Sequence, residues 1–169
     1  MNPESVYEFT LPVFIKMLGG LKGVLKKAGE HGLDEATLLN DKLAEDMFPL
    51  VKQVQVATDN AKGCAARLSG TENPKFEDTE TTLAELDARI DKTVEYLKTF
   101  TKESFAGAEQ VQATFPYFPG KFMPGFDYAR EYAIPNFFFH VATAYAIVRK
   151  NGVQVGKADY INGLPLQDL

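Results

Sequence analysis

Asp41-Lys-Leu-Ala-Glu-Asp-Met-Phe-Pro-Leu-Val-Lys-Gln-Val-Gln-Val-Ala-Thr-Asp-Asn-Ala-Lys-Gly-Cys-Ala-Ala-Arg-Leu68 carries the clearest periodic signal in this chain. Leu43, Met47, Leu50, Val54, Ala57, Ala61, Cys64 and Leu68 alternate steps of four and three without a break. That spacing lays a narrow apolar seam along one helix face, the pattern of a helix packed nearly parallel to its neighbours. The spacing predicts a helix over 41–68, roughly 40 Å long at ~1.5 Å per residue, stopped by Ser69-Gly70.

Three further helices follow from the same reasoning. Residues 4–28 repeat Phe9, Val13, Met17, Leu21, Val24 and Leu25 on one face, with Ser5 and Glu8 spaced as a capping box. Pro12 interrupts that pattern and either kinks the helix or marks its start, and Gly29 and Gly32 end it. The stretch 34–40 reads as a connector with room for one helical turn. After a polar loop over 72–81, Thr82 and Glu85 offer a second capping box. Leu83, Leu86, Ile90, Val94 and Leu97 then carry a helix to Phe100. The last helix covers 128–150, with Pro135 kinking it or starting its second half, and Asn151-Gly152 ends it.

Between the third and fourth helices, Gly107, Pro116, Pro119, Gly120, Pro124 and Gly125 forbid a continuous helix. Val111, Ala113 and Phe115 alternate with polar residues, which suggests a short strand or hairpin arm. This connection also holds Phe115, Tyr117, Phe118, Phe122, Phe126 and Tyr128. The rings either cap one end of the core or form a lid, and capping is preferred because so large an apolar surface is normally buried. The tail, 152–169, reads as an extended strap along the helices. The expected architecture is all-α: a four-helix bundle in one domain, 1–169, with a long irregular third connection.

Composition bounds the function. At 169 residues with 45% hydrophobic residues the chain can bury one ordinary core. Lysine and arginine number 18 against 23 acidic residues, a net charge of −5. No general basic footprint for nucleic acid is present. No apolar run reaches the ~20 residues that span a bilayer. The amino terminus lacks the basic and apolar regions of a signal peptide, so a cytoplasmic protein is expected. Cys64 is the single cysteine, which removes intrachain disulfides and cysteine-based zinc clusters. On the expected seam it reads as a small apolar residue.

The candidate site centres on Ile134-Pro-Asn-Phe-Phe-Phe-His-Val-Ala-Thr-Ala-Tyr-Ala-Ile-Val-Arg149, the most apolar run. Asn136 and His140 sit one helical turn apart inside it. Their spacing matches helical metal motifs, but a neutral amide is a poor zinc ligand, and the alternative is a buried, hydrogen-bonded pair. Asp46 and Gln53 on the second helix differ by about 20° around the axis. With His140 they could form one internal polar cluster of carboxylate, amide and imidazole. The opposing reading leaves Asp46 at the surface and Gln53 solvated. Tyr132 and Tyr145 flank the run as further partners for His140.

Three blocks carry a family likeness: Leu43-Ala-Glu-Asp-Met-Phe-Pro-Leu-Val-Lys-Gln53, Pro135-Asn-Phe-Phe-Phe-His140 and Tyr145-Ala-Ile-Val-Arg-Lys-Asn-Gly-Val153. Together they resemble an uncharacterised bacterial domain-of-unknown-function family within the DinB/YfiT-like superfamily of metalloenzymes. The resemblance implies a four-helix bundle, commonly a homodimer. It also implies a divalent metal, zinc or nickel, held by a helix 2 histidine and a His-x-x-x-His pair on the last helix. Some members are transferases or isomerases using bacillithiol, mycothiol or glutathione. The metal-binding pair falls on Asn136 and His140, and the third ligand near Gln53, so amides replace two of three ligands. What the resemblance then implies is a protein with no metal or other cofactor that binds a small molecule or partner beside the last helix. The alternative is a divergent metal- or thiol-dependent transferase.

Overall fold

The computed structural model describes residues 2–168, and Met1 and Leu169 lie outside the described residues. Helix α1 runs Pro3–Glu30, α2 Glu35–Asn40, α3 Leu50–Ser69 and α4 Leu83–Lys98. Two short 3₁₀ turns, Lys102–Phe105 and Ala108–Gln110, lead into strands β1, Gln112–Thr114, and β2, Phe122–Pro124. The chain continues through a helical turn, α5 (Gly125–Asp127), a π-helical segment at Tyr128–Ala133, α6 at Ile134–Lys150 and a short α7 at Lys157–Ile161. The protein is mostly helical. Its four long helices pack with α3 between α4 and α6, and α1 against α3, α4 and α6. Among the described residues no helix is long and apolar enough to cross a membrane.

Helix α3 is shorter than its seam predicts. Pro49 occupies its N-cap, so a ~30 Å helix replaces the ~40 Å one. Proline has no N–H to continue a helix and pushes the preceding residue out of the helical region. Asp41 to Pro49 instead forms a turned segment closed by a Lys42–Pro49 bridge, with Leu50 N–H donating to the Asp41 carbonyl at 2.9 Å. Leu43, the first position of the seam, is therefore exposed. From Leu50 onward the seam holds, with Leu50, Val54, Ala57, Ala61, Cys64 and Leu68 all buried.

Helix α1 is capped by Asn2, whose side chain accepts from Ser5 N–H at 2.8 Å, rather than by the expected Ser5–Glu8 box. Pro3 at the first helical position suits that start. The helix passes Pro12 without ending, because Pro12 lies on the exposed face where water can satisfy the freed carbonyl. Phe9, counted on the apolar face, is exposed, and the buried face runs through Leu11, Phe14, Leu18, Leu21 and Leu25. The Thr82–Glu85 capping box of α4 forms as expected.

The hairpin arm is real: β1 and β2 pair antiparallel, with Ala113 opposite Met123. Its aromatic residues divide. Phe115 and Tyr128 close the end of the core, while Tyr117, Phe118 and Phe122 remain exposed. The tail is not wholly extended, since α7 packs its backbone on α1. A Cβ at Gly20 would come 2.7 Å from the Tyr160 carbonyl and 3.0 Å from that of Asp159. The close approach needs glycine. Asn162 donates to the Lys16 carbonyl at 3.0 Å, and Lys27 pairs with Asp159 at 2.7 Å.

Candidate functional site

Helices α3 and α6 lie against each other, and the polar residues of their shared face meet in two pairs rather than one cluster. The first pair is Gln53 and His140, with His140 Nδ1 2.7 Å from Gln53 Oε1. Gln53 Nε2 donates to the Phe48 carbonyl at 3.0 Å, which fixes the amide orientation. Oε1 therefore accepts, and Nδ1 of the imidazole carries the proton. Burial lowers the His140 pKa below its ordinary 6.5, so the ring is neutral near pH 7. Nε2 has no protein partner among the described residues, yet it is not sealed from solvent.

The second pair lies further along the same face. Asn136 donates from Nδ2 to Asn60 Oδ1 at 3.1 Å, and Asn60 Nδ2 donates to the Ala133 carbonyl at 2.7 Å. Asn136 and His140 thus share a face of α6, as their spacing predicts, but each is held by a different amide of α3. Asp46 joins neither pair; it is exposed in the segment that Pro49 excludes from α3. Tyr132 shares a hydrogen bond with Tyr117, hydroxyl to hydroxyl at 3.0 Å, and Tyr145 donates to the Val155 carbonyl. Neither reaches His140.

Beside the Asn60–Asn136 pair opens a cleft of about 470 Å³. Helix α3 supplies Asp59, Asn60, Lys62 and Arg67 to its wall, the 70–82 loop supplies Asn73 and Phe76, and Phe115, Tyr117, Tyr132 and Asn136 close it. Burial and the hydrogen bond from Tyr117 push the Tyr132 hydroxyl up to about 12. The Tyr132 hydroxyl therefore stays protonated near pH 7. Gln53 and His140 do not line this cleft. Cys64 is fully buried, and desolvation pushes its thiol up to about 12, which removes it as a nucleophile.

Asn60 and Arg67 are among the cleft residues that the sequence reading missed. Asn60 lies seven residues beyond Gln53, the same step that linked Asp46 to Gln53, so its place on the shared face was available from spacing alone. Arg67 gave no such signal, because Phe115 and Tyr128, which flank it, come from far along the chain.

As a donor set for a divalent metal, Gln53, Asn136 and His140 fit poorly. Two of the three are neutral amides, and Gln53 spends its oxygen on the imidazole that would be the third ligand. Among the described residues no three His, Cys, Asp or Glu side chains are grouped to hold a metal ion.

Comparison with known proteins shows the family and a close structural likeness. Residues 6–161 match the family model described as "Domain of unknown function (DUF1993)". No curated protein matches the sequence. A crystal structure of a DinB family member protein from Shewanella denitrificans is similar over 99% of this chain and 97% of that one. The two are 43% identical and superpose with a TM-score of 0.95.

Proposed function

The chain belongs to the DUF1993 family and is DinB-like, and on that premise we propose that it is a metal-free small-molecule-binding protein whose pocket lies beside the last long helix. In this reading the four long helices form a DinB-like four-helix bundle, one domain over 1–169, working as a cytoplasmic homodimer. The observation that carries the reading is the 2.7 Å bond between His140 and Gln53. It turns two residues at the expected ligand positions toward each other. The third, Asn136, faces the 470 Å³ cleft with Asn60. Paired side-chain amides, tyrosine hydroxyls and aromatic walls suit an organic ligand held by directed hydrogen bonds over an apolar body.

Elemental analysis of protein purified without added metal tests the proposal. Less than about a tenth of an equivalent of zinc or nickel is expected, unchanged in His140→Ala. Stoichiometric metal that is lost in His140→Ala would overturn it. That result would favour the second reading, a divergent metal- or thiol-dependent transferase, for which the solvent-reached Nε2 of His140 is the supporting observation.

A further inference from the structure

We infer that the cleft beside Asn60 and Asn136 takes an organic carboxylate with an aromatic body, and that Arg67 is its anchor. The inference rests on the binding-site reading above and names the ligand class.

Arg89 and Arg130 are paired with carboxylates, whereas Arg67 has no acidic partner among the described residues. Its guanidinium is half-buried in the cleft wall. Of its five N–H donors, one reaches the Tyr128 hydroxyl, at 3.4 Å. The side chain is nevertheless held in one place. It lies 5.6 Å from the Tyr128 ring centre and 5.8 Å from that of Phe115. It also folds back over Gly63, one turn earlier on α3, where a Cβ would come 2.6 Å from Nη1. Glycine weakens a helix interior. In the middle of α3, at a buried position, Gly63 leaves the room that the Arg67 guanidinium occupies.

The cleft's other charges are already answered. Asp59, its one carboxylate among the described residues, is shared between Arg89 at 3.0 Å and Lys62 at 3.2 Å, and Lys75 pairs with Glu77 at 2.7 Å. The uncompensated charge is therefore the positive one on Arg67, in a chain whose net charge is −5. A planar fork of N–H donors matches the two oxygens of a carboxylate. Phe76, Phe115 and Tyr117 supply the ring surface for an apolar body, and the Asn60–Asn136 amides supply hydrogen bonds beyond it.

The test titrates the full chain with benzoate, phenylacetate and 2-naphthoate, each against its neutral carboxamide, by calorimetry. At least one acid is expected to bind roughly tenfold or more tighter than its amide, the size of one charge-assisted hydrogen bond. Arg67→Gln should abolish that preference, with an unchanged thermal midpoint showing that it folds. Gly63→Ala should reduce the preference while raising the thermal midpoint, because it displaces the guanidinium and improves the helix. If acid and amide bind equally in the wild type and in Arg67→Gln, the carboxylate assignment falls and the pocket stands. If no compound of the six binds at millimolar concentration, both fall. Displacement of the bound acid by equimolar inorganic phosphate would overturn the carboxylate assignment in favour of a phosphate-bearing ligand.

Discussion

Replacing His140 by leucine isolates the bond that defines the α3–α6 contact. Leucine roughly preserves apolar volume, so little cavity cost is added, and the main effect is on Gln53, which is 1% exposed. Its Oε1 loses the donor at 2.7 Å while its Nε2 stays tied to Phe48. A buried acceptor left without a partner costs about 1–3 kcal/mol. For a chain of 169 residues that corresponds to a fall in Tm of roughly 2–4 °C per kcal/mol. Gln53→Leu strands the Nδ1–H of His140 and also removes the donor to the Phe48 carbonyl, a loss that the double variant carries equally. The double variant removes donor and acceptor together and leaves an apolar contact. It should be less destabilised than the two single losses combined, with a coupling of about 0.5–3 kcal/mol. Urea denaturation at pH 8, followed by far-UV circular dichroism with a common slope for all four proteins, measures the cycle. Two near-neutral single variants and an additive double would refute the reasoning, for they would mean that water replaces either partner at no cost.

Other consequences follow from neighbouring groups. Arg89, with its side chain 2% exposed, holds Asp59, Asp78 and Glu80 at 3.0 Å each, and Thr58 at 2.8 Å. Arg89→Ala should cost about 1–3 kcal/mol by urea denaturation and open residues 71–82 to proteolysis, since the well-buried Glu80 loses its cation while Asp59 and Asp78 keep Lys62 and Lys52. The lowered pKa of His140 fixes a pH dependence. Above pH 6.5 the ring is neutral in both folded and unfolded chains, and as pH falls below 6.5 the unfolded chain binds the proton first, so stability is lost toward the folded pKa. The measured penalty of His140→Leu should accordingly be smaller at pH 5.5 than at pH 7.5. Cys64 should resist a thiol reagent in the native state and react with one equivalent once urea unfolds the chain.

The parts of this fold that were legible in the sequence depend on short-range repetition. The seam from Leu50 to Leu68 and the Thr82–Glu85 cap rest on spacing within one helix, and the structure keeps both. The misplaced start of α3 shows a periodic signal overruled by one covalent fact. Leu43 and Met47 continue the rhythm, but Pro49 carries no N–H and constrains Phe48. Asp46 left the candidate site for that reason alone. Gln53, Asn136 and His140 were singled out because unlike residues in apolar faces stand out. Their true partners were partly hidden, because an i, i+4 pair on α6 can be satisfied by separate residues of α3. Arg67 was illegible for a different reason. A lack of ionic partners is a property of the assembled surroundings and cannot be read from any local stretch.

The seating of α7 on Gly20 couples two stretches some 140 residues apart into a single heritable character. A β-carbon at 20 would strike the carbonyls of Tyr160 and Asp159, which are backbone and cannot rotate away. A lineage can therefore acquire a side chain there only after its carboxy-terminal segment has been lost or moved elsewhere. Taken in the opposite order, the same two changes pass through a protein with a displaced tail. The route open to mutation thus has a direction, and drift at Gly20 is locked for as long as the tail remains in place.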